Sequence, residues 1–413
     1  MRFKVSLIVI LFFPLFIFYG CGKTQVSPDV INLVVLPENG ENVIASQNDF
    51  ALKFFKELLE QDKTNSNKLV SPLSIYMDFS MAYNGAAGNT LDEMNSALQL
   101  GGISAQLLNE VNKALVTGLP KADSKVELDL ANSIWYRNQG AQPLPAFIQT
   151  VSDNYMAQIT GADFKSPQTV NDINSWVSKN THGKISHIID QIDPSDIMYL
   201  INAVYFKGQW KLKFDSRQTR SRVFSTPDAG NVQTPFMTQT AVFPYLENQS
   251  MQCIELPYGA GSFSMYVILP SANLTTGDLL STFNSDILKS TLNPMDSTKV
   301  TLFMPRWEYK YDISDLRPEL SALGMPVAFT GNADFTNMYP ASAGAYISKA
   351  LHKTFISVDE EGTKAAAVTS IGMGTTAVSP NPVMDINRPF LYLIAEKQTG
   401  SILFLGMVNN PAQ

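Results

Sequence analysis

The chain contains very little cysteine, with only Cys21 and Cys253 among 413 residues. If Cys21 is acylated, Cys253 has no partner and no internal disulfide can form. The hydrophobic content of 45% is enough to bury one large core or two ordinary ones. The fold must therefore be held together by packing alone.

Positive charge is also scarce. The net charge is −7 at pH 7, the isoelectric point is near 5.1, and no stretch of the sequence forms a basic stripe. A nucleic-acid-binding surface needs clustered lysine and arginine to neutralise phosphates. The composition therefore argues against nucleic acid as a partner.

Motifs of hydrolytic enzymes are missing as well. Neither G-x-S-x-G nor H-E-x-x-H occurs, and Cys253 lies in a predicted apolar strand. His182 and His187 are five residues apart, and we expect them to face solvent and to belong to no cluster of metal ligands. We therefore expect neither enzymatic activity nor a metal ion or other cofactor.

Residues 1–20 have the composition of a secretion signal. Arg2 and Lys4 precede an apolar run of 14 residues, Val5 to Phe18, which is too short to span a bilayer comfortably. Gly20 precedes Cys21, and a small residue before a cysteine resembles the signal of bacterial lipoproteins. This resemblance implies lipidation at Cys21. The alternative is an ordinary cleaved signal followed by an incidental cysteine.

Residues 21–47, with prolines at positions 28 and 37, are typical of a membrane tether ahead of a folded domain at 48–413. A lipid anchor would place that domain in the cell envelope, on the periplasmic side or at the cell surface. The absence of an acidic cluster after Cys21 favours the periplasmic side.

The order of predicted elements indicates an α+β fold. Helices are predicted with an N-cap at Asn48 or Asp49, with Ser71 as N-cap and Pro72 as first residue, with a Thr90-x-x-Glu93 capping box, and over Ile313–Leu323. Strands are predicted over Val126–Tyr136 and Met198–Phe206, and hairpins within residues 252–269 and 390–405.

The strand Met198–Phe206 is almost continuously apolar, as expected of a strand that is covered on both faces. Asn202 lies in its middle. A buried side-chain amide costs about 1–3 kcal/mol unless it is hydrogen-bonded. Asn202 therefore needs a polar partner from another part of the chain.

The stretch from Val358 to Ser379 has properties of both a loop and a strand. The segment Thr363–Val378 contains one charge, on Lys364, and no aromatic residue, which is typical of an exposed loop. Every second residue from Thr363 to Met373 is nonetheless uncharged, as a strand needs on a face that enters a core. Two interpretations stay open: a loop that can become a strand, and a Gly/Ala-rich linker before the C-terminal hairpin.

Four separated motifs, in the same order, resemble those of serpins. They are Ser71-Pro-Leu-Ser-Ile75 with Asn84-Gly-Ala-Ala-Gly-Asn-Thr90, the strand around Asn202 with Lys207-Gly-Gln-Trp210, Glu360-Glu-Gly-Thr363, and Met384-Asp-Ile-Asn-Arg-Pro-Phe390 with Phe404-Leu-Gly-Met-Val-Asn-Asn-Pro411. The resemblance covers about residues 48 to 411. It implies the serpin fold: an N-terminal helical region, a large central β-sheet with further sheets, and an exposed reactive-site loop near the C-terminus.

The resemblance also implies a mechanism. A serpin acts as a suicide substrate of a serine protease: the protease cleaves the loop and forms an acyl-enzyme, and the loop then inserts into the main sheet and distorts the protease. The hinge of the loop would comprise Glu360, Glu361, Gly362, Thr363, Ala365, Ala366 and Ala367. A hydrogen-bonded shutter beneath the opening sheet would comprise Ser71, Ser74, Asn202 and His352. The alternative is a serpin fold that is used only for binding.

The scissile bond has two candidate positions. The spacing usual in the family, 14 residues on from Gly362, places it at Thr376–Ala377 (376 − 362 = 14). Counting back from Arg388 gives Val378–Ser379 as the second choice. Both place a small uncharged or β-branched residue before the cut, which suits an elastase-like or subtilisin-like protease better than a trypsin-like one. We expect a monomer with such proteases as partners and a membrane as its anchor.

Overall fold

The computed structural model describes residues 30–228, 230–292, 295–363 and 381–413. The helices in these ranges are α1 Gly40–Gln61, α2 Pro72–Tyr83, α3 Gly88–Ala97, α4 Ala105–Gly118, α5 Pro145–Tyr155, α6 Pro167–Asn180, α7 Thr276–Thr282, α8 Ser285–Leu292 and α9 Arg317–Ala322. None of these helices is both long enough and apolar enough to cross a membrane. The predicted signal at 1–20 lies outside the described residues.

The strands of the described residues are β1 Lys68–Val70, β2 Val126–Arg137, β3 Gln158–Ala162, β4 Met198–Gly208, β5 Arg220–Thr226, β6 Gly230–Glu247, β7 Met251–Pro257, β8 Phe263–Pro270, β9 Asp296–Pro305, β10 Trp307–Ile313, β11 His352–Val358, β12 Val383–Asp385, β13 Phe390–Glu396 and β14 Ile402–Val408. Both predicted hairpins are confirmed, because β7 pairs antiparallel with β8 and β13 with β14.

These strands form three sheets. The largest has the order β1-β14-β13-β8-β7-β6-β9-β12, with β5 paired to β6. A second sheet has the order β3-β2-β4, and a third consists of β10 and β11. The large sheet is mixed, since β12 runs parallel to β9 while the other pairings are antiparallel. The α+β class expected from the sequence is confirmed.

A space separates β4 from β11. Among the described residues no ladder joins these strands, yet the stretch 204–207 of β4 and Phe355 and Ser357 of β11 line one small pocket. A second cavity lies where β4 begins, between Met198 and Leu200 on one side and residues 345–351 on the other. We call the space between the two strands the gap.

The two faces of β4 enter different cores. Leu200 and Val204 pack against the large core of the protein, whereas Tyr199 and Ile201 belong to a smaller core beneath α6. Successive side chains of a strand point to opposite faces, so apolar residues at nearly every position mean that both faces are covered. The prediction of a doubly covered strand is therefore confirmed.

The first helix begins earlier than predicted. α1 starts at Gly40 and not after Asn48 or Asp49. The tether was predicted to extend to residue 47, but Gln47 is 1% exposed and hydrogen-bonded inside the domain. Residues 30–47 of the predicted tether are therefore part of the folded domain.

Two further boundaries differ from prediction because tertiary contacts replace local signals. Thr90 is no N-cap: α3 begins at Gly88, and the buried Thr90 hydroxyl accepts a hydrogen bond from the backbone N–H of Asp334 at 2.8 Å. Ile313 ends β10 by pairing with the first residue of β11, so the helix predicted over Ile313–Leu323 is limited to α9.

Candidate functional site

The N-terminus of α2 lies beneath the gap. Ser71 caps this helix, because its Oγ accepts a hydrogen bond from the N–H of Ser74 at 3.4 Å, and Pro72 occupies the first helical position. Both serines are almost fully buried. This helix start is confirmed, since a serine N-cap followed by proline is a strong local signal. Each serine also bonds to one strand that flanks the gap.

His352, the first residue of β11, makes the contact on one side. Its Nε2 accepts a hydrogen bond from the backbone N–H of Ser71 at 3.0 Å. A ring nitrogen that accepts carries no proton, so the imidazole is neutral with its proton on Nδ1. Burial lowers the pKa of His352 to about 3, which keeps the ring neutral at physiological pH. His352 therefore binds α2 only in its neutral form.

Asn202, in the middle of β4, makes the contact on the other side. The Ser74 hydroxyl donates to Asn202 Oδ1, and the Asn202 amide donates to Asn132 Oδ1 at 2.5 Å. Asn132 lies opposite Asn202 on β2 and donates to the carbonyl of Tyr155 at 2.7 Å. Asn202 thus has the partners that it needed. Asn132 was not identified from the sequence, although a second asparagine near the middle of the predicted strand Val126–Tyr136 was a usable signal.

A tight reversal of the chain follows β11. Asp359 and Gly362 exchange backbone hydrogen bonds of 3.0 and 3.2 Å, so Glu360 and Glu361 form a two-residue hairpin turn. Gly362 has a φ of 129°, which favours glycine, and a Cβ at this position would overlap the carbonyl oxygen of Gly208. Glycine is therefore required here by both conformation and space.

Ion pairs fix the two glutamates of this turn. Glu360 lies 2.5 Å from the guanidinium of Arg306 and accepts a hydrogen bond from the Thr219 hydroxyl, and Glu361 lies 2.9 Å from the ammonium of Lys213. Burial raises the pKa of Glu360, but the hydrogen bonds from Arg306 and Thr219 outweigh burial and leave that pKa below its ordinary value. Two separate segments of the chain, residues 213–219 and the segment of Arg306, thus hold the turn in place.

Thr363 lies beside Gly208, at one end of the gap. Its N–H donates to the Gly208 carbonyl at 2.7 Å, and its hydroxyl lies 3.2 Å from the hydroxyl of Tyr258. Gly362 forms an antiparallel bridge with Gln209. After the turn the chain therefore runs antiparallel to β4, and its first residue is already buried beside that strand.

Trp210 connects this end of the gap to the turn. Its ring stacks on Tyr258 with centroids 4.5 Å apart, and its indole N–H donates to the carbonyl of Asp359 at 2.8 Å. Neither aromatic residue was assigned a site role from the sequence. Trp210 belonged to a motif that carried the resemblance, but only the fold brings Tyr258 to it.

The remaining predicted site residues lie outside the described part of the chain. They are Cys21, Ala365, Ala366, Ala367, Thr376, Ala377, Val378 and Ser379. Their assigned roles stay predictions.

The segment after α6, residues 181–185, covers the gap, and we call it the cover segment. The Lys184 ammonium lies 4.8 Å from the ring centroid of Phe355 on β11. The ring of His182 stacks on Tyr205 of β4 at a centroid distance of 4.3 Å. The cover segment therefore contacts both strands that flank the gap.

His182 also attaches the cover segment to β2. Its Nε2 lies 2.7 Å from Asp129 and 3.6 Å from Glu127. The expected exposure of His182 and His187 is confirmed, since about half of each side chain is accessible. The expectation that His182 belongs to no cluster of potential metal ligands is wrong, because ligand atoms of all three residues lie within 4.8 Å of one another. The sequence signal that could have revealed this cluster was the spacing of Glu127 and Asp129, which places both side chains on one face of a strand.

Cys253 lies fully buried on β7. Burial raises the pKa of its thiol to about 12, so the thiolate that nucleophilic chemistry requires is not formed at neutral pH.

Known proteins resemble this chain in sequence and in fold. The family model described as Serpin (serine protease inhibitor) matches residues 45–411. An uncharacterised serpin-like protein of Thermococcus kodakarensis is 32% identical over 391 residues, which cover 91% of this chain and 88% of that protein. Tengpin, a thermophilic serpin solved in its native state, has a TM-score of 0.82 at 34% identity, covering 89% of this chain and 94% of its own. For human thyroxine-binding globulin complexed with thyroxine the TM-score is 0.82 at 27% identity, with coverages of 91% and 100%. The chain therefore belongs to the serpin family.

Proposed function

We propose that this protein inhibits serine proteases by cleavage and insertion of the loop that follows Thr363. Serpins are generally protease inhibitors, which the family description also states. The observation that carries the proposal is the gap between β4 and β11, into which Gly362 and Thr363 are already turned. A strand needs two unpaired edges to insert between, and no ladder within the described part of the chain occupies the facing edges of β4 and β11.

The two bridges of Gly362 predict the register of the inserted strand. Gly362 pairs with Gln209 just after β4 and with Asp359 just after β11. An inserted loop would continue antiparallel to both strands. Thr369, seven residues after Gly362, would then pair with Asn202, which lies seven residues before Gln209. On its other side it would pair with His352, which lies seven residues before Asp359. Insertion would thus place a hydroxyl between the two polar side chains that bond to α2.

The alternation of the loop sequence agrees with this register. Residues of the loop that pair with Asn202 and Val204 would face the large core, and the loop positions on that face are uncharged up to Met373. A strand of roughly 15 residues gains ladder hydrogen bonds worth about 0.5–1.5 kcal/mol each, so insertion contributes on the order of 10 kcal/mol. This rivals the stability of a whole domain, about 5–15 kcal/mol, and implies that the uncut form is held kinetically.

The proposed targets are elastase-like or subtilisin-like proteases. The proposed scissile bond is Thr376–Ala377, with Val378–Ser379 as the second choice. A small residue before the cut would underfill a deep pocket and would leave the carboxylate of a trypsin-like pocket unpaired. Lipidation at Cys21 would hold the inhibitor in the cell envelope, where it would meet proteases that reach this compartment.

A panel of elastase, trypsin and subtilisin tests this proposal. We expect a complex that survives denaturant with elastase or subtilisin, and a released fragment that begins at Ala377 or Ser379, read by mass spectrometry. Trapping of trypsin with elastase left untouched would overturn the specificity. A fragment that begins before Gly374 would overturn the position of the scissile bond.

A matched pair of loop variants tests insertion itself. In the inserted register Ala365 faces the large core and Ala366 faces away from it, so Ala365→Arg would bury a charge and Ala366→Arg would not. We expect both variants to be cleaved and only Ala366→Arg to trap the protease as the parent does. Equal trapping by both would contradict the insertion mechanism.

The second candidate function is binding without inhibition. The structural likeness to thyroxine-binding globulin, which was solved with thyroxine, favours it. In that case each protease of the panel would either cleave the loop or leave it uncut, and no denaturant-stable complex would form.

A further inference from the structure

Three side chains that can bind a metal ion meet where the cover segment crosses β2. Glu127 and Asp129 lie two residues apart on β2, so both carboxylates project from the same face of that strand. His182 of the cover segment has its Nε2 2.7 Å from an oxygen of Asp129 and 3.6 Å from an oxygen of Glu127. The ligand atoms of all three residues lie within 4.8 Å of one another. An ion at the centre of this cluster can therefore contact one nitrogen and two oxygens.

The distances in the cluster suit zinc. Zinc binds imidazole nitrogen and carboxylate oxygen at about 2.0–2.2 Å, so two ligand atoms of a tetrahedral zinc ion lie about 3.4 Å apart. The separations of 2.7 and 3.6 Å fall on either side of this value. Close to half of each of the three side chains is exposed, so small rotations can complete the geometry and water can fill the fourth position.

The charges of the cluster also favour a divalent cation. Lys207 of β4 lies 3.5 Å from Glu127, but it contacts Oε2, whereas His182 faces Oε1. When the imidazole is neutral, these four side chains comprise two carboxylates and one ammonium group and carry one excess negative charge. With its proton on Nδ1, the neutral ring offers the lone pair of Nε2 to the ion. Imidazole nitrogen suits zinc, whereas magnesium prefers oxygen ligands alone.

Backbone structure holds both halves of the cluster in place. Along β2, the residues of this cluster are paired with β4. In the cover segment, Thr181 accepts two hydrogen bonds, from the N–H of Lys184 at its carbonyl and from the N–H of Ile185 at its hydroxyl, at 2.9 and 3.1 Å. The ring of His182 is further fixed by its stacking on Tyr205. The ligands are thus positioned before an ion binds, which lowers the entropic cost of binding.

The cover segment closes the gap beside the point where the loop begins. Thr181, Lys184 and Ile185 line the same small pocket as β4, β11 and Thr363. A strand that enters the gap beside Thr363 therefore has to displace the cover segment.

We propose that Glu127, Asp129 and His182 bind one zinc ion, which fastens the cover segment to β2. The bound ion slows insertion, because the cover segment can leave the gap only after the ion is released. This consequence rests on the proposed inhibitory function, whereas the binding of the ion does not.

Binding is tested by calorimetric titration of Zn²⁺ and of Mg²⁺ into uncut protein that carries no affinity tag. We expect Zn²⁺ to bind at least about tenfold more tightly than Mg²⁺, because the imidazole nitrogen contributes only to zinc. Equal affinities would show attraction to the carboxylates alone and would overturn the proposal. Absence of Zn²⁺ binding would also overturn it.

Matched variants locate the ion. Asp129→Asn and His182→Gln each keep a polar side chain and lose a zinc ligand. We expect each to weaken Zn²⁺ binding at least about tenfold, since loss of even a supporting residue costs roughly that much. His187→Gln is the control and should bind as the parent does, because His187 is similarly exposed and pairs with Asp190 outside the cluster. Parental affinity in Asp129→Asn or in His182→Gln would contradict the site. If one of these two variants does not fold, the other decides.

Hydrogen exchange of residues 181–185 measures the effect on the cover segment without a protease. We expect Zn²⁺ to slow exchange there in the parent and not in Asp129→Asn. Unchanged exchange in the zinc-bound parent would refute the fastening of the cover segment.

Protease trapping measures the effect on insertion. If the ion has to leave first, free Zn²⁺ at about ten times its Kd slows insertion about elevenfold. Zn²⁺ should therefore shift the parent from trapped complex to cleaved inhibitor. It should not shift Asp129→Asn, which controls for effects of Zn²⁺ on the protease. Equal shifts in both proteins would refute the link between the ion and insertion.

The two proposals fail separately, because zinc binding and hydrogen exchange need no protease. Zinc binding by a protein that traps no protease would refute only the inhibitory function. Trapping by a protein that binds no zinc would refute only the metal site.

Discussion

Protonation of His352 should destabilise the uncut protein between pH 6.5 and 5. The folded protein holds this ring neutral, because its Nε2 accepts a hydrogen bond from Ser71 and burial lowers its pKa from 6.5 to about 3. Between these values the unfolded chain binds a proton that the folded chain does not bind. The stabilisation is thus complete above pH 6.5 and is lost as the pH falls from there toward 3.

The magnitude follows from the shift in pKa. One pH unit corresponds to about 1.4 kcal/mol, so lowering the pH from 6.5 to 5 costs roughly 2 kcal/mol. This is a large share of a typical stability of about 5–15 kcal/mol and changes a population roughly thirtyfold. Titration of Glu360 does not contribute to the change in stability between pH 6.5 and 5. Its pKa lies below the ordinary value, so its stabilisation persists above that value and is lost only as the pH falls through the lowered pKa, below this window.

The assay compares the parent with His352→Gln at pH 5, 6, 7 and 8. Glutamine can accept the hydrogen bond from Ser71 through its side-chain oxygen, but it does not titrate. Because the uncut form is held kinetically, the measured quantity is the rate at which native monomer is lost on mild heating. We expect the ratio of the parent's rate to the variant's rate to rise up to about thirtyfold between pH 6.5 and 5. Carboxyl groups whose pKa burial raises, such as Glu319 and Asp359, contribute equally to both proteins and cancel in this ratio. A control with His182→Gln and His187→Gln accounts for the exposed histidines. The same pH dependence in the parent and in His352→Gln would refute the reasoning.

Four substitutions test the other parts of the molecule. Gly362→Ala should destabilise the hinge turn by more than about 1 kcal/mol, because a Cβ would overlap the Gly208 carbonyl oxygen; an unchanged melting temperature would contradict this. Thr363→Arg should give a protein that is cut but does not trap protease, because a guanidinium would occupy a buried position; parental trapping would refute it. His182→Ala should speed insertion by at most about fivefold, since an exposed ion pair contributes about 0.2–1 kcal/mol, and stopped-flow fluorescence would show it; a slower insertion would mean that the cover segment assists it. Cys21→Ser should release the protein from membrane fractions, and a variant that stays bound would indicate an uncleaved apolar anchor.

The parts of the site that the sequence predicted are those with local signals. Ser71 and Pro72 specify a helix start through their own backbone preferences, and the structure shows that start. The need of Asn202 for a polar partner followed from one amide in an apolar strand, and Ser74 and Asn132 are the partners found. Such inferences need only the chain near the residue, so they hold without knowledge of the fold.

The parts that were missed depend on contacts between distant segments. Gln47 looked like a linker residue, and only its hydrogen bond with a serine more than 350 residues away makes it interior. Thr90 had the pattern of a capping residue, but its hydroxyl bonds to another segment instead. His182 meets Glu127 and Asp129 only because the cover segment crosses β2. No local sequence preference predicts these contacts between distant segments.

The way in which α2 holds the gap bears on how the protein avoids self-association. β4 is bonded to Ser74 and β11 to Ser71, so each flank is attached to the helix and, among the described residues, no strand ladder joins one flank to the other. Unpaired strand edges accept any extended segment, including the loop of a second molecule. The protein's own loop is tethered at Thr363, which gives it an effective concentration of about the millimolar order and an advantage over free molecules at micromolar concentration. Weakening the hydrogen bonds to α2 widens the gap equally for the protein's own loop and for the loop of a second molecule. It leaves the attachment of the protein's own loop at Thr363 unchanged. The ratio of polymer to self-inserted monomer should therefore follow the protein concentration and not the identity of the residue at position 202 or 352.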